Sequence, residues 1–111
     1  YQNSVKERVL GVSGKTLEEF GAVSEQTARE MAEGVRVKFG STYGVSVTGI
    51  AGPDGGTPEK PVGLVYGAIA SPGGTQTVRM SFFGSREQVR IRAAKYMLWK
   101  LWGSATGQAH N

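Results

Sequence analysis

A glycine- and proline-rich segment from Thr48 to Pro61 contains the residue types in this sequence that best suit ligand binding. It reads TGIAGPDGGTPEKP and lies between two β-branched, apolar segments that are typical of strands. Glycine lets the backbone turn its N–H groups toward a ligand, and proline stiffens the rest of the segment. These properties suit an anion-binding loop, but the same glycines could simply turn the chain. The spacing matches neither the P-loop nor the dinucleotide-binding glycine motif.

Few other side chains in this sequence could act as catalysts. The one histidine is His110, near the C-terminus, and there is no cysteine. These counts argue against a Ser-His-Asp triad, a cysteine nucleophile and a histidine metal cluster, so we expect no metal site. A base for hydrolysis would have to be a lysine, a carboxylate or a tyrosine. Asp54 and Glu59 lie in the glycine-rich loop without a paired spacing, and we interpret them as solubilising residues.

Length and composition indicate one small domain. The chain has 111 residues, of which 39% are hydrophobic and 20% charged, and its formal net charge is +4. No apolar run approaches the ~20 residues that cross a bilayer, and no secretory signal is visible, so we expect a cytoplasmic protein without membrane contact. The positive excess lies in the segment 85–102. Such a segment could meet nucleic acid, but we interpret it as a solvated helix face and do not expect a nucleic-acid partner.

Capping residues and apolar spacing predict three helices in the first part of the chain. Residues 4–10 are typical of a short helix. The pattern Thr16-x-x-Glu19 predicts the capping box of a second helix, which ends at Gly21. Ser24 is the expected N-cap of a longer helix that ends near Phe39 and has one apolar face.

The second part of the chain predicts a sheet and a final helix. Alternating and β-branched residues place strands at 43–48, 62–70 and 75–83. A capping box at Ser85-x-x-Gln88 opens a helix that reaches about Trp102. The expected buried side of that helix consists of Val89, Ala93, Met97, Leu98 and Leu101. We therefore expect an α/β fold, a mixed β-sheet with helices packed on its faces, in one domain over 1–103 with a polar tail at 104–111.

Six short motifs occur in the order of one known family. They are Tyr1-x-Asn3-x-x-Lys6, Leu10-Gly-Val12, Gly21-Ala-Val-Ser24, Met31-Ala-x-Gly34, Thr48-Gly-Ile-Ala-Gly-Pro53 and Lys60-Pro-Val-Gly63. With these motifs the sequence resembles the C-terminal domain of the competence/damage-inducible CinA family, the nicotinamide-mononucleotide deamidases. The resemblance runs from Tyr1 to about Leu101.

The resemblance implies amide hydrolysis without a metal or another cofactor. Family members convert nicotinamide mononucleotide to nicotinic acid mononucleotide and ammonia in pyridine nucleotide salvage. They use a serine nucleophile that a lysine activates and a tyrosine assists, and the matching catalytic positions here are Lys6 and Tyr1. A serine hydroxyl becomes a good nucleophile when an adjacent base takes its proton. A lysine can do so only when neutral, so its pKa must lie well below the usual value.

The resemblance also implies how the nucleotide is bound. Backbone N–H groups of the loop, including those of Gly49 and Gly52, and the Thr48 hydroxyl are expected to hold it. Arg86 lies in the first turn of the final helix, where a cation is unfavourable to the helix dipole unless an anion is present. An arginine at the matching family position binds substrate, so Arg86 is the expected phosphate ligand.

The family's serine lies in an upstream segment of the Ser-Cys-Thr-Gly-Gly type, which this sequence lacks. A first strand and helix are also missing by comparison with the family pattern, and the chain begins at Tyr1 without an initiator methionine. Three interpretations stay open: the sequence is partial, a second chain supplies the missing element, or the protein is inactive. The resemblance implies a homodimer. The alternative to an enzyme is a non-catalytic module that binds a nucleotide or a competence- or DNA-damage-associated partner.

Overall fold

The described part of the structure begins with two helices on one side of the molecule. The structure is a computed structural model and describes residues 11–50, 56–58 and 60–106, with the backbone alone for 104–106. Helix α1 spans Gly14–Phe20 and helix α2 spans Glu25–Phe39. The Ser24 side chain accepts a hydrogen bond from the backbone N–H of Thr27, so the predicted N-cap of α2 is confirmed.

The predicted start of α1 is wrong. Its N-cap is Ser13, whose hydroxyl oxygen accepts from the backbone N–H of Lys15, and Thr16 lies inside the helix. The Thr16 hydroxyl donates instead to the carboxylate of Glu30 on α2. Because the Thr16 hydroxyl bonds to Glu30 on another helix, it does not form the predicted capping box. The predicted end is confirmed, because Gly21 caps α1 with a φ of +83°, which glycine adopts without strain.

Three strands form one antiparallel sheet in the order β1-β2-β3. Strand β1 spans Gly44–Gly49, β2 spans Leu64–Ser71 and β3 spans Gly74–Ser81. In register, Gly49 pairs with Val65, and Val65 pairs with Met80. A tight turn joins β2 and β3, since Ser71 pairs with Gly74 around a two-residue loop.

Alternation along the strands divides the side chains between the two faces of the sheet. On one face, which we call the α2 face, the small residues Ala68 and Ala70 pack against Ala28 and Ala32 of α2. On the opposite face, the α3 face, larger apolar side chains pack against the last helix. That cluster consists of Val65, Ile69, Met80, Val89, Ala93 and Met97. The predicted α/β fold with helices on the faces of a sheet is confirmed.

Helix α3 covers the second face and spans Arg86–Thr106, so it ends beyond the predicted Trp102. Its capping box is confirmed: the N–H of Gln88 donates to the Ser85 hydroxyl, and the Gln88 side chain accepts from the N–H of Ser85. Of the predicted buried side, Val89, Ala93 and Met97 are buried and Leu101 packs against them. The prediction for Leu98 is wrong, because 65% of its surface is exposed. Position 98 lies about 100° round the helix from Met97, which turns it away from the sheet.

Several predictions lie outside the described residues. They concern the helix at 4–10, the catalytic candidates Tyr1 and Lys6, the loop residue Gly52 and the end of the tail at 107–111. Among the residues that are described, no helix is both long and apolar enough to span a membrane.

Candidate functional site

A cavity of about 520 Å³ opens between the α3 face of the sheet and the start of α3. Strand β1 contributes Val47 and Gly49, whose positions alternate with the buried positions of the α2 face. A Cβ on Gly49 would lie 2.8 Å from Val65 Cγ2 and 2.9 Å from the Leu64 carbonyl oxygen, so glycine permits the close approach of β2. The complete lining is Val47, Gly49, Val65, Arg86, Val89, Arg90, Ala93 and Ala94.

Two predicted substrate-binding residues therefore meet in one place. Gly49 ends β1, and Arg86 begins α3, yet both line this cavity. The valine and alanine side chains of the lining are apolar, and apolar surroundings strengthen electrostatic attraction to a charged ligand. The cavity can accordingly take a ligand with an anionic end and an apolar or aromatic part.

A second arginine, Arg90, lines the same cavity. It follows Arg86 by one helical turn, so both side chains lie on one face of α3. Among the residues that the structure describes, Arg29 forms an ion pair with Glu25. In the same part of the chain, neither Arg86 nor Arg90 has a carboxylate partner. We did not single out Arg90 from the sequence, because it was grouped with the solvated basic residues. Its four-residue spacing from Arg86 was the available signal.

An adjoining groove of about 580 Å³ shares both arginines. Its other lining residues are Glu87, Ile91 and Ala94. Glu87 lines this outer groove but not the inner cavity, so its negative charge disfavours an anion in the groove more than in the cavity. The two arginines are thus best placed to receive an anion on the inner side.

The structure does not bring Thr48 into this cavity. Thr48 lies on the α2 face, where its side chain is 8% exposed and its hydroxyl donates to the Ala22 carbonyl at 2.8 Å. The strand alternation explains the placement, since adjacent residues 48 and 49 point to opposite faces. Thr48 holds the connection between α1 and α2, while Gly49 lines the cavity.

That connection is held by side chains from three other parts of the chain. The Lys60 ammonium donates to the Phe20 carbonyl at 2.6 Å. The Gly21 carbonyl accepts from the hydroxyls of Ser24 at 2.9 Å and Thr27 at 2.7 Å. Together with the Thr48 contact, these bonds fix consecutive carbonyl groups from residue 20 to residue 22. The sequence gives no sign of this contact of Lys60, because its partner is a backbone atom 40 positions away along the chain.

The base of the glycine-rich loop is closed by backbone hydrogen bonds. The N–H of Ile50 donates to the Leu64 carbonyl at 2.9 Å, and the N–H of Gly63 donates to the Ile50 carbonyl at 2.7 Å. Further along, the N–H of Thr57 donates to the Lys60 carbonyl at 2.9 Å. The loop therefore leaves and re-enters the sheet at fixed points, beside the end of β1 that carries Gly49.

Comparison with known proteins identifies the family. A family model described as the CinA C-terminal domain matches residues 1–103. The chain belongs to the CinA C-terminal domain family. This confirms the resemblance found in the sequence motifs.

Relatives and solved structures of CinA proteins agree with this assignment. The chain is 56% identical over 94 residues to a CinA-like protein of Anaeromyxobacter dehalogenans, covering 85% of the chain and 23% of that protein. It is 54% identical over 101 residues to a putative competence-damage inducible protein of Clostridioides difficile, covering 91% and 24%. The chain thus spans about a quarter of the length of these relatives.

Crystal structures of CinA proteins have the same fold. The competence/damage inducible protein CihA of Agrobacterium tumefaciens superposes with a TM-score of 0.89 at 41% identity, covering 93% of this chain and 64% of that one. A CinA superfamily protein of Enterobacter cloacae gives a TM-score of 0.85 at 40% identity, with coverage of 91% and 60%. This CinA domain therefore corresponds to somewhat less than two thirds of each solved chain.

Proposed function

We propose that this CinA domain binds the nucleotide in a nicotinamide-nucleotide amidohydrolase, which converts nicotinamide mononucleotide to nicotinic acid mononucleotide and ammonia. The observation that carries the proposal is that Gly49 and Arg86 line one cavity. Among the described residues, this arginine has no ion-pair partner. A mononucleotide has one phosphate, which suits the guanidinium, and flat apolar groups, which suit the walls.

The orientation of the substrate follows from its charges. The phosphate of nicotinamide mononucleotide is anionic and its pyridinium ring is cationic, so the phosphate lies at Arg86 and the ring lies away from it. The capping box already occupies the N–H groups of Ser85 and Gln88. The Arg86 side chain, with the favourable field of the helix start, is then the main phosphate ligand.

Hydrolysis of the amide is assigned to residues outside the described part of the chain. By resemblance, Lys6 removes the proton of a serine that lies in a segment upstream of this sequence, and Tyr1 assists. The serine oxygen then attacks the amide carbon, and the protonated lysine returns its proton to the amide nitrogen, so that the C–N bond breaks and ammonia leaves. Water then hydrolyses the acyl-enzyme ester, which releases the acid and restores the serine hydroxyl. A neutral Lys6 is required, so activity should fall as the pH is lowered and the lysine takes up a proton.

The first test compares Lys6→Ala with Lys15→Ala in the full-length protein. Lys15 is an exposed lysine in α1 and serves as a control for loss of the same charge. We expect Lys6→Ala to abolish ammonia release from nicotinamide mononucleotide while its unfolding midpoint stays at the control value. Normal turnover in Lys6→Ala would remove the lysine from the mechanism.

Binding and chemistry are separated by a second variant. Arg86→Ala is expected to raise KM with a smaller change in kcat, as lost phosphate binding should. If the full-length protein binds nicotinamide mononucleotide but releases no ammonia, the alternative function stands, a nucleotide-binding module without catalysis. Absence of binding to the full-length protein would contradict both functions.

A further inference from the structure

Arg90 and Arg86 form a pair of cations beside one cavity, without a carboxylate partner in the described part of the chain. Both line the inner cavity and the outer groove, and they lie one turn apart on one face of α3. Like charges at this spacing repel each other and destabilise a helix. No carboxylate within the described residues neutralises either guanidinium.

The surroundings of the pair direct the anion into the inner cavity. Val47, Val65 and Val89 line that cavity, and an apolar wall reduces the screening between a guanidinium and an anion. Glu87 lines only the outer groove, where it would repel the same anion. Each guanidinium presents a planar fork of donors that can engage two phosphate oxygens.

The charge of the pair matches one class of phosphate. A phosphate monoester carries about −1.5 to −2 charges at neutral pH and has three terminal oxygens. A phosphodiester carries a single charge on two such oxygens, and a riboside has no phosphate to carry a negative charge. Two guanidinium groups, with two positive charges and two donor forks, therefore favour the monoester.

We propose that Arg90 is a second phosphate ligand in the cavity, and that Arg86 and Arg90 together select a phosphate monoester over a phosphodiester or a riboside that lacks the phosphate. This deepens the proposed function and rests on it for the identity of the group that carries the phosphate. The selectivity itself depends only on the two arginines and the apolar wall.

The test is isothermal titration of the full-length protein and of its Arg90→Gln, Arg86→Gln and Lys95→Gln variants. Lys95 is an exposed cation of α3 that does not line the cavity, so Lys95→Gln controls for the loss of one charge. The ligands are nicotinamide mononucleotide, its methyl phosphodiester, ribose 5-phosphate and nicotinamide riboside. We expect Arg90→Gln to weaken both monoesters about tenfold or more, and Lys95→Gln to change them less than about twofold.

The outcomes separate this inference from the proposed function. Equal monoester affinities in Arg90→Gln and Lys95→Gln overturn the inference while leaving the proposed function intact. Arg90-dependent binding of ribose 5-phosphate without binding of nicotinamide mononucleotide supports the inference and overturns the proposed function. Wild-type binding of the methyl phosphodiester or of the riboside as tight as that of the mononucleotide overturns the selectivity, and binding of no ligand to the full-length protein overturns both proposals.

Discussion

The two faces of the sheet pack against their helices in different ways. On the α2 face, alanines meet alanines, and side-chain hydroxyls of β1 bond to the carbonyls around α2, as Ser46 does with Ala28. On the α3 face, larger apolar side chains hold the helix at one place, around Met97, and leave a cavity near its start. The close, hydrogen-bonded face fixes the geometry, and the face with residual space has room for a ligand.

The same difference appears in the polar groups. Across the α2 face, Thr75 and Thr77 of β3 donate to the carboxylates of Glu33 and Glu25. On the α3 side, Arg86 and Arg90 have no such partner among the described residues. Polar groups on the first face are therefore used for structure, whereas Arg86 and Arg90 on the second are available to a ligand.

The largest loss of stability is expected from Gly44→Ala on the α2 face. The new Cβ would lie 2.1 Å from the Ala32 carbonyl oxygen and 3.0 Å from the Arg36 backbone nitrogen, so the helix and strand must move apart. We expect a loss of about 3 kcal/mol or more, measured by denaturant unfolding. Gly73→Ala is the control, because its Cβ meets nothing within 4 Å. Equal losses in both variants would show that α2 does not pack closely on the sheet.

A somewhat smaller loss is expected from Met97→Ala on the α3 face. Met97 is 2% exposed and lies over Gly67, where its sulfur would be 2.4 Å from an added Cβ. Removing it leaves a cavity, at a cost of about 2–3 kcal/mol. Leu98→Ala should cost less than about 1 kcal/mol, because most of that side chain is exposed. Similar losses in the two variants would indicate a different rotation of α3.

Thr48→Val is expected to have the smallest effect of the three. It removes the hydrogen bond to the Ala22 carbonyl and leaves that oxygen without its donor, at a cost of about 1–2 kcal/mol. Thr48→Ser keeps the hydroxyl and should recover most of the loss. Because Thr48 faces away from the cavity, affinity for nicotinamide mononucleotide should change less than about twofold. A large loss of affinity in a variant that remains folded would instead place the hydroxyl at the ligand, as the sequence resemblance implies.

The sequence was a good guide wherever local chemistry decides the structure. The caps at Ser24 and Ser85 and the helix end at Gly21 depend on neighbouring backbone groups, and all three were confirmed. Thr16 was assigned wrongly because Glu30, on another helix, captures its hydroxyl. Local rules do not include such partners.

Predictions about the site were limited for the same reason, because a sequence pattern does not show contacts between residues that are far apart along the chain. The family resemblance pointed to Gly49 and Arg86, which do meet at the cavity. It also grouped Thr48 with Gly49, although strand alternation turns adjacent residues to opposite faces. Arg90 and Lys60 were missed, since their surroundings come from elements that lie far away along the chain.

The most direct test of the division between the two faces is a two-dimensional ¹H–¹⁵N spectrum of this chain, titrated with nicotinamide mononucleotide. We expect the largest shift changes at the amides of Val47, Gly49, Arg86 and Arg90 around the cavity. The amides of Glu33 and Thr75, on the α2 face, should stay unchanged. Changes centred on the α2 face, or no change at the cavity residues at saturating ligand, would contradict the assignment of the site to the α3 face.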